Sequence, residues 1–205
     1  MNSHRRSRLP LALTGGLLAL ASIGLVRAAD LGSARSYAIV QSKVTVAGTS
    51  NLHEWSVTAD ALHAELAVPG GFLDGAGGAP TGTFSLAAHQ LRSDKDRMNK
   101  LMWEALKVDQ HPTLQFELKG ARLKSASGAE LALEGDGVLE LAGVQRPVTV
   151  PLTVRRDGER LIVQGELPVQ MSDYGISPPT AMFGALKTGN KVVITISATL
   201  VPSHA

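Results

Sequence analysis

Four histidines lie in the body of this 205-residue chain, His53, His63, His89 and His111, and imidazole is the commonest protein ligand for a metal. A ready-made site on one strand or helix face needs two of them at H-x-H or H-x-x-x-H spacing, and no pair has either. His53 and Glu54 pair an acid with a base, but neighbours on a strand point to opposite faces. Asn51 and His53 are instead expected to hydrogen-bond the first turn, with Trp55 anchoring it in the core. Ser50, Ser85 and Ser172 stand in no G-x-S-x-G setting, and no phosphate loop or dinucleotide fingerprint occurs. There is no cysteine, which excludes disulfides, thiolate ligands, a cysteine nucleophile and a lipid-modified cysteine. No catalytic residue, metal or cofactor is therefore expected, and the chemistry that remains is that of apolar surface.

That surface is organised as strands. Eight runs alternate apolar with polar residues: 36–47, 53–68, 81–91, 113–125, 130–142, 146–155, 160–171 and 191–201. Leu114, Phe116 and Leu118 share one parity, as do Leu131, Leu133, Leu139 and Leu141, and as do Val148, Val150, Leu152 and Val154. Each run thus has one face for an apolar interior, and Ser127-Gly128, Ala142-Gly143 and Asp157-Gly158 are turn signals for antiparallel hairpins. An eight-stranded sheet of this kind closes into a barrel wide enough for one small ligand. Pro147 and Pro151 lack the N–H a ladder needs, and their spacing of four puts both gaps on one side, beside a neighbour the pattern does not identify. The Gly-rich stretch 69–80 reads as a flexible connection.

One short amphipathic helix, 93–107, interrupts the strands between the third and the fourth. Met98, Leu101, Met102, Ala105 and Leu106 form its apolar stripe, Ser93 and Asp96 have capping-box spacing, and His111-Pro112 ends it. The stripe fits a lid packed over an open barrel end, direct ligand contact, or both.

Before the strands, Arg5, Arg6 and Arg8 precede an apolar stretch from Leu11 to Val26, and Val26-Arg27-Ala28 offers a cleavage site. That is the layout of a secretory signal peptide over residues 1–28, with residues 29–205 as one domain. Removing it takes four of the 20 Lys and Arg and none of the 18 Asp and Glu, so a formal charge of +2 becomes −2. No basic stripe for nucleic acid results. A periplasmic location follows, and without a cysteine the protein is not a lipoprotein.

Four stretches, in order, resemble the YceI-like family of exported lipocalin-like proteins: Gly48 to Trp55 (GTSNLHEW), Met98 to Glu117 (MNKLMWEALKVDQHPTLQFE), Gly137 to Leu152 (GVLELAGVQRPVTVPL) and Asp173 to Gly184 (DYGISPPTAMFG). Asn51 and Glu54 depart from the Thr and Asp usual in the first. The resemblance implies an all-β, eight-stranded antiparallel barrel whose cavity binds a long apolar molecule, a polyisoprenoid or an isoprenoid quinone, with no catalytic motif.

On strand parity, Phe84, Leu86, Phe116, Leu118, Val150 and Leu152 are the central candidates for the lining, although each also fits plain core packing. Trp55, Met98 and Met102 join them from the first hairpin and the helix. Met182 and Phe183 follow Pro178-Pro179 in a loop, where large apolar side chains need a partner such as the barrel mouth, and Tyr174 could place a hydroxyl there. The expected function is carriage or sequestration of an apolar lipid, with transient membrane contact. The alternatives are an enzyme sheltering an apolar substrate, with Tyr174 or His53 as acid or base, and an interaction protein of a membrane complex or homodimer, using the helix stripe and the Met182-Phe183 loop.

Overall fold

A computed structural model describes residues 33–203, save the side chains of Ala181 and Met182; the signal-peptide expectation lies outside the described residues. The chain runs through β1 (Arg35–Ser50), β2 (Glu54–Ala59), β3 (His63–Val68), β4 (Thr81–Ala87), α1 (Asp96–Ala105), β5 (Thr113–Ser127), β6 (Glu130–Leu141), β7 (Val144–Asp157), β8 (Arg160–Gln170), β9 (Thr180–Ala181) and β10 (Leu186–Pro202). All pairings are antiparallel, and β1 against β10 closes the sheet on itself. With β2 and β3 forming one wall, and β9 a two-residue addition to β10, this is the expected eight-stranded barrel with its helix between the third and fourth walls.

The expected continuous strand 53–68 is interrupted into two strands that keep one register on β1. β2 pairs with Val44–Thr49 of β1, whereas β3 pairs with Arg35–Tyr37. The buried Ser42 hydroxyl holds the break, donating to the Asp60 carbonyl (3.1 Å) and accepting from the Leu62 amide (3.0 Å). The free edge of β2 takes a single bridge, Thr58 to Arg92. The expected strand 81–91 likewise ends at Ala87, where a 3-10 turn, Ala88–Gln90, starts the path to the helix.

α1 begins later than expected, at Asp96, and Ser93 does not cap it as a capping box would. The buried Asn99 does the joining instead: its Oδ1 accepts from the Ser93 amide (2.7 Å) and hydroxyl (3.0 Å), and its Nδ2 donates to the Ser93 carbonyl (3.1 Å). Trp103 fixes the other side through Nε1 to the Leu91 carbonyl (3.1 Å), between His89 and the Arg92 guanidinium. The helix is therefore tied to the segment that leads into it, residues 91–93, rather than merely packed on the barrel.

Pro147 and Pro151 disturb the β7–β8 side. β7 pairs with β6 along its whole length but with β8 only from Leu152 to Asp157. Two missing donors stop the ladder where Leu152 meets Gly165. A 3-10 turn, Met171–Tyr174, fills the splay, held by Arg146 Nε to the Asp173 carbonyl (2.9 Å) and by Asn190, whose Oδ1 accepts from the Ser172 amide and whose Nδ2 donates to the Ser172 hydroxyl.

The two barrel ends differ. At the end opposite the helix, the stretch expected to be a loose connection is a plug. Its 3-10 turn, Phe72–Asp74, buries Phe72 among Tyr37, Val68, Leu131, Leu133, Val154 and Leu161. Leu131 and Leu200, each 1% exposed, are the centre of that packed half. Chains without cysteine have no covalent staple, so burial of this kind holds the barrel together.

Candidate functional site

The other half of the barrel is hollow, and β6 shows why. Its inward residues run Leu131, Leu133, Gly135, Gly137, Leu139, Leu141, so two leucine pairs flank two positions with no side chain. Gly165 adds a third gap on β8. The Phe116 ring lies over Gly137, where any Cβ would fall 2.5 Å from it, and its partner across the ladder is Phe84, ring centroids 6.1 Å apart. The space left is a cavity of about 690 Å³, inside the roughly 300–1,000 Å³ of small-molecule sites.

The structure brings nine of the twelve expected lining residues to that cavity: Trp55, Phe84, Leu86, Met98, Met102, Phe116, Leu118, Val150 and Leu152. Trp55 is seated because Gly48 leaves room for its ring, and its Nε1 donates to the Thr49 carbonyl at 3.1 Å. The whole helix stripe, Leu101, Ala105 and Leu106 included, forms the roof, so the cover of the barrel end and the wall of the cavity are one surface. Sequence reasoning missed the opposite wall, made by Leu167, Val169, Val192, Ile194 and Ile196 of β8 and β10. The same period-2 parity marks those residues.

Three expected residues are placed elsewhere or not described. Tyr174 is 3% exposed and packs outside the cavity against Leu141, Val169 and Met171, closing the β7–β8 splay. Phe183 is fully exposed at a φ of 55°, in the left-handed region, which turns its ring into solvent rather than into the mouth. The Met182 side chain lies outside the described residues.

The polar lining residues are Ser50, His53, Glu54 and Ser56 of the first hairpin, Ser93, Asp94, Lys95 and Arg97 before and within α1, Gln115 near the start of β5, and Thr180 and Thr188; the rest of the wall is overwhelmingly aliphatic and aromatic. The expectation that Asn51 and His53 hold the first turn needs correcting, since the Ser50 hydroxyl does so, bonding the His53 carbonyl (2.8 Å) and amide (3.1 Å). Asn51 reaches across the rim, donating from Nδ2 to the Ala185 carbonyl (2.8 Å) and accepting the Lys187 amide at Oδ1 (2.9 Å).

The titratable residues of the lining are His53, Glu54, Asp94, Lys95 and Arg97, from the first hairpin and the start of α1. Among the described residues, no three His, Asp or Glu side chains gather where a metal ion could be held. The shifted carboxylates point outward from β6: Arg122 holds Glu134 below its usual range, and the Thr149 hydroxyl, with Arg122 behind it, does so for Asp136. Burial pushes the Tyr174 hydroxyl above its ordinary pKa, with Asp173 adding to the effect and Arg146 opposing it. The unfolded chain then releases this proton first, near pH ~10, so the contribution is constant below that pH and is lost as pH rises through the folded value. Urea midpoints should fall above about pH 10 in the wild type and fall less in Tyr174→Phe; equal slopes would place the alkaline loss elsewhere.

A family model for the YceI-like domain matches residues 33–200. The chain belongs to the YceI-like family. Among solved structures of this fold, a polyisoprenoid binding domain from Saccharophagus degradans is similar at 14% identity, covering 82% of this chain and 99% of that one, with a TM-score of 0.64. BcnA of Burkholderia cenocepacia is similar at 16% identity, covering 77% and 95%, with a TM-score of 0.60. No curated protein matches the chain by sequence. Identities this low carry the barrel and no more. The YceI-like barrel seen here is thus one whose interior is half packed and half open.

Proposed function

We propose that this protein binds the tail of a long apolar lipid, of polyisoprenoid or isoprenoid quinone type, in the open half of its barrel, and carries or sequesters it after export to the periplasm. The observation that carries the proposal is the composition of the lining: its polar residues come from the first hairpin, the start of α1, the start of β5 and residues 180–188, and apolar side chains make up nearly all the rest. Such a wall gains roughly 0.8 kcal/mol for each methylene taken from water, less the cost of ordering the tail. A polar head would remain at the rim beside His53, Glu54 and residues 93–97. The similar polyisoprenoid binding domain supports the same ligand class. Binding rather than catalysis is the activity proposed: the titratable residues of the lining, His53, Glu54, Asp94, Lys95 and Arg97, come from the first hairpin and the start of α1, and the rest of the lining is overwhelmingly apolar. Native mass spectrometry of the purified protein, before and after organic extraction, tests this: co-purifying lipid and uptake of added prenyl alcohols are expected, and a protein that neither carries nor takes up either sinks it.

The rim also fits loading at a membrane. Leu52 is 64% exposed and Phe183 wholly so, on two loops that Asn51 binds together beside the mouth. Entry of both side chains into a bilayer would present the mouth to lipid, each side chain contributing up to about 1.5–3 kcal/mol. The Leu52→Ser, Phe183→Ser double variant should therefore lose on the order of tenfold or more in vesicle co-sedimentation, while prenyl alcohol delivered from detergent binds as before. Unchanged co-sedimentation would remove these residues from membrane contact.

A further inference from the structure

We propose that Leu152, seated between Gly135 and Gly165, is the floor of the cavity and sets the length of tail it admits. This rests on the proposal that the cavity holds an apolar tail. Leu152 and its neighbour Val163 face both compartments: they line the cavity, and they pack on the buried cluster around Leu131, Leu133, Val154 and Leu161. Everything on the plug side of Leu152 is filled by that cluster. On the helix side, Val150 faces Gly135 across the β6–β7 ladder and the void begins.

The two glycines determine where Leu152 lies. A Cβ on Gly135 would stand 3.3 Å from its Cδ1, and one on Gly165 would stand 2.7 Å from its Cδ2. The leucine therefore lies along the inner wall, one methyl over the glycine of each neighbouring strand, and a Cβ on Gly135 would stand 3.1 Å from Leu118 Cδ1 on β5, the next strand over. Any side chain at 165 would push Leu152 out of this seat, toward the cavity that it already lines. Tail length is thus limited by a single side chain whose position two absent side chains define.

The test is a series of all-trans prenyl alcohols, each longer by one isoprene unit, in competition for the purified protein and read by native mass spectrometry. Affinity is expected to climb by about fourfold for each methylene buried, until the tail meets Leu152, and then to level off. Leu152→Ala should move the plateau to a longer alcohol and Gly165→Ala to a shorter one. Should Leu152→Ala not fold, Leu152→Val makes the same comparison with a smaller shift. A plateau that stays in place in both folded variants overturns Leu152 as the floor while leaving tail binding intact. Failure of every alcohol to bind the wild type overturns the lipid-tail reading, and the floor with it.

Discussion

Val150→Phe should yield a folded barrel that has lost tail binding by on the order of a hundredfold. Val150 faces inward on β7, one inward position from Leu152 toward the helix end, and its partner across the ladder is Gly135. A phenylalanine here therefore meets open space rather than a facing side chain, and the 1–3 kcal/mol typical of overpacking a filled core should be largely avoided. The ring would occupy volume the tail needs; excluding three or four methylenes at about 0.8 kcal/mol each accounts for the loss. Phenylalanine is the better blocker than tryptophan, because an indole N–H in this apolar stretch would have no acceptor. Native mass spectrometry with a prenyl alcohol and a thermal melt together decide it. A folded variant that binds as tightly as the wild type would place the tail outside this cavity.

How much of this was legible in the residues can be traced position by position. Period-2 parity marks Phe84, Leu86, Phe116, Leu118, Val150 and Leu152, and all six line the cavity, because a barrel leaves each strand only an inside and an outside. The same parity also marks the break in the second wall. Apolar residues fall on odd positions through Trp55, Val57 and Ala59 but on even ones through Leu62, Ala64, Leu66 and Val68, and the strand breaks where the phase changes. The emptiness of the barrel was written in β6, where Gly135 and Gly137 sit in phase with four leucines. The small number of aromatic side chains, four Phe, two Trp and two Tyr in the chain, is a weaker clue to the same fact. Pro147 and Pro151 announced a lost ladder but not its partner, since only closure of the sheet determines that β8 lies on that side.

Loops resisted for a different reason: no periodicity says which way a loop side chain turns. Phe183, apolar and beside two prolines, reads as a residue in need of cover, and a left-handed backbone instead sends it into solvent. Tyr174 reads as a mouth hydroxyl and is a plug for a gap that two distant prolines create. Phe72 is the converse case, an apolar residue in a Gly-rich stretch whose glycines do not make it loose.

Phe72→Ala is for that reason expected to be the most destabilising single change outside the strands, at about 3–5 kcal/mol of the roughly 5–15 kcal/mol that holds a domain of this kind. Gly71 and Gly75, at φ of 79° and 80°, bracket the turn in the left-handed region and aim Phe72 into the barrel. The Arg156 guanidinium fastens the turn from outside, through the Asp74 carboxylate at 2.7 Å and the Leu73 carbonyl. These holds are unequal. Asp74 is largely exposed, so Asp74→Ala should cost at most about 1 kcal/mol, whereas truncating the ring opens a void beside Leu131 and Leu133 that nothing nearby can fill. Urea midpoints of the two variants measure the contrast, and a loss below about 1 kcal/mol for Phe72→Ala would mean that the turn is a cover and not a plug. Tail affinity of the folded Phe72→Ala protein should stay near that of the wild type. The layer of Leu131, Leu133, Val154 and Leu161 stands between the plug and Leu152, so a defect below the floor weakens the barrel without lengthening the room above it.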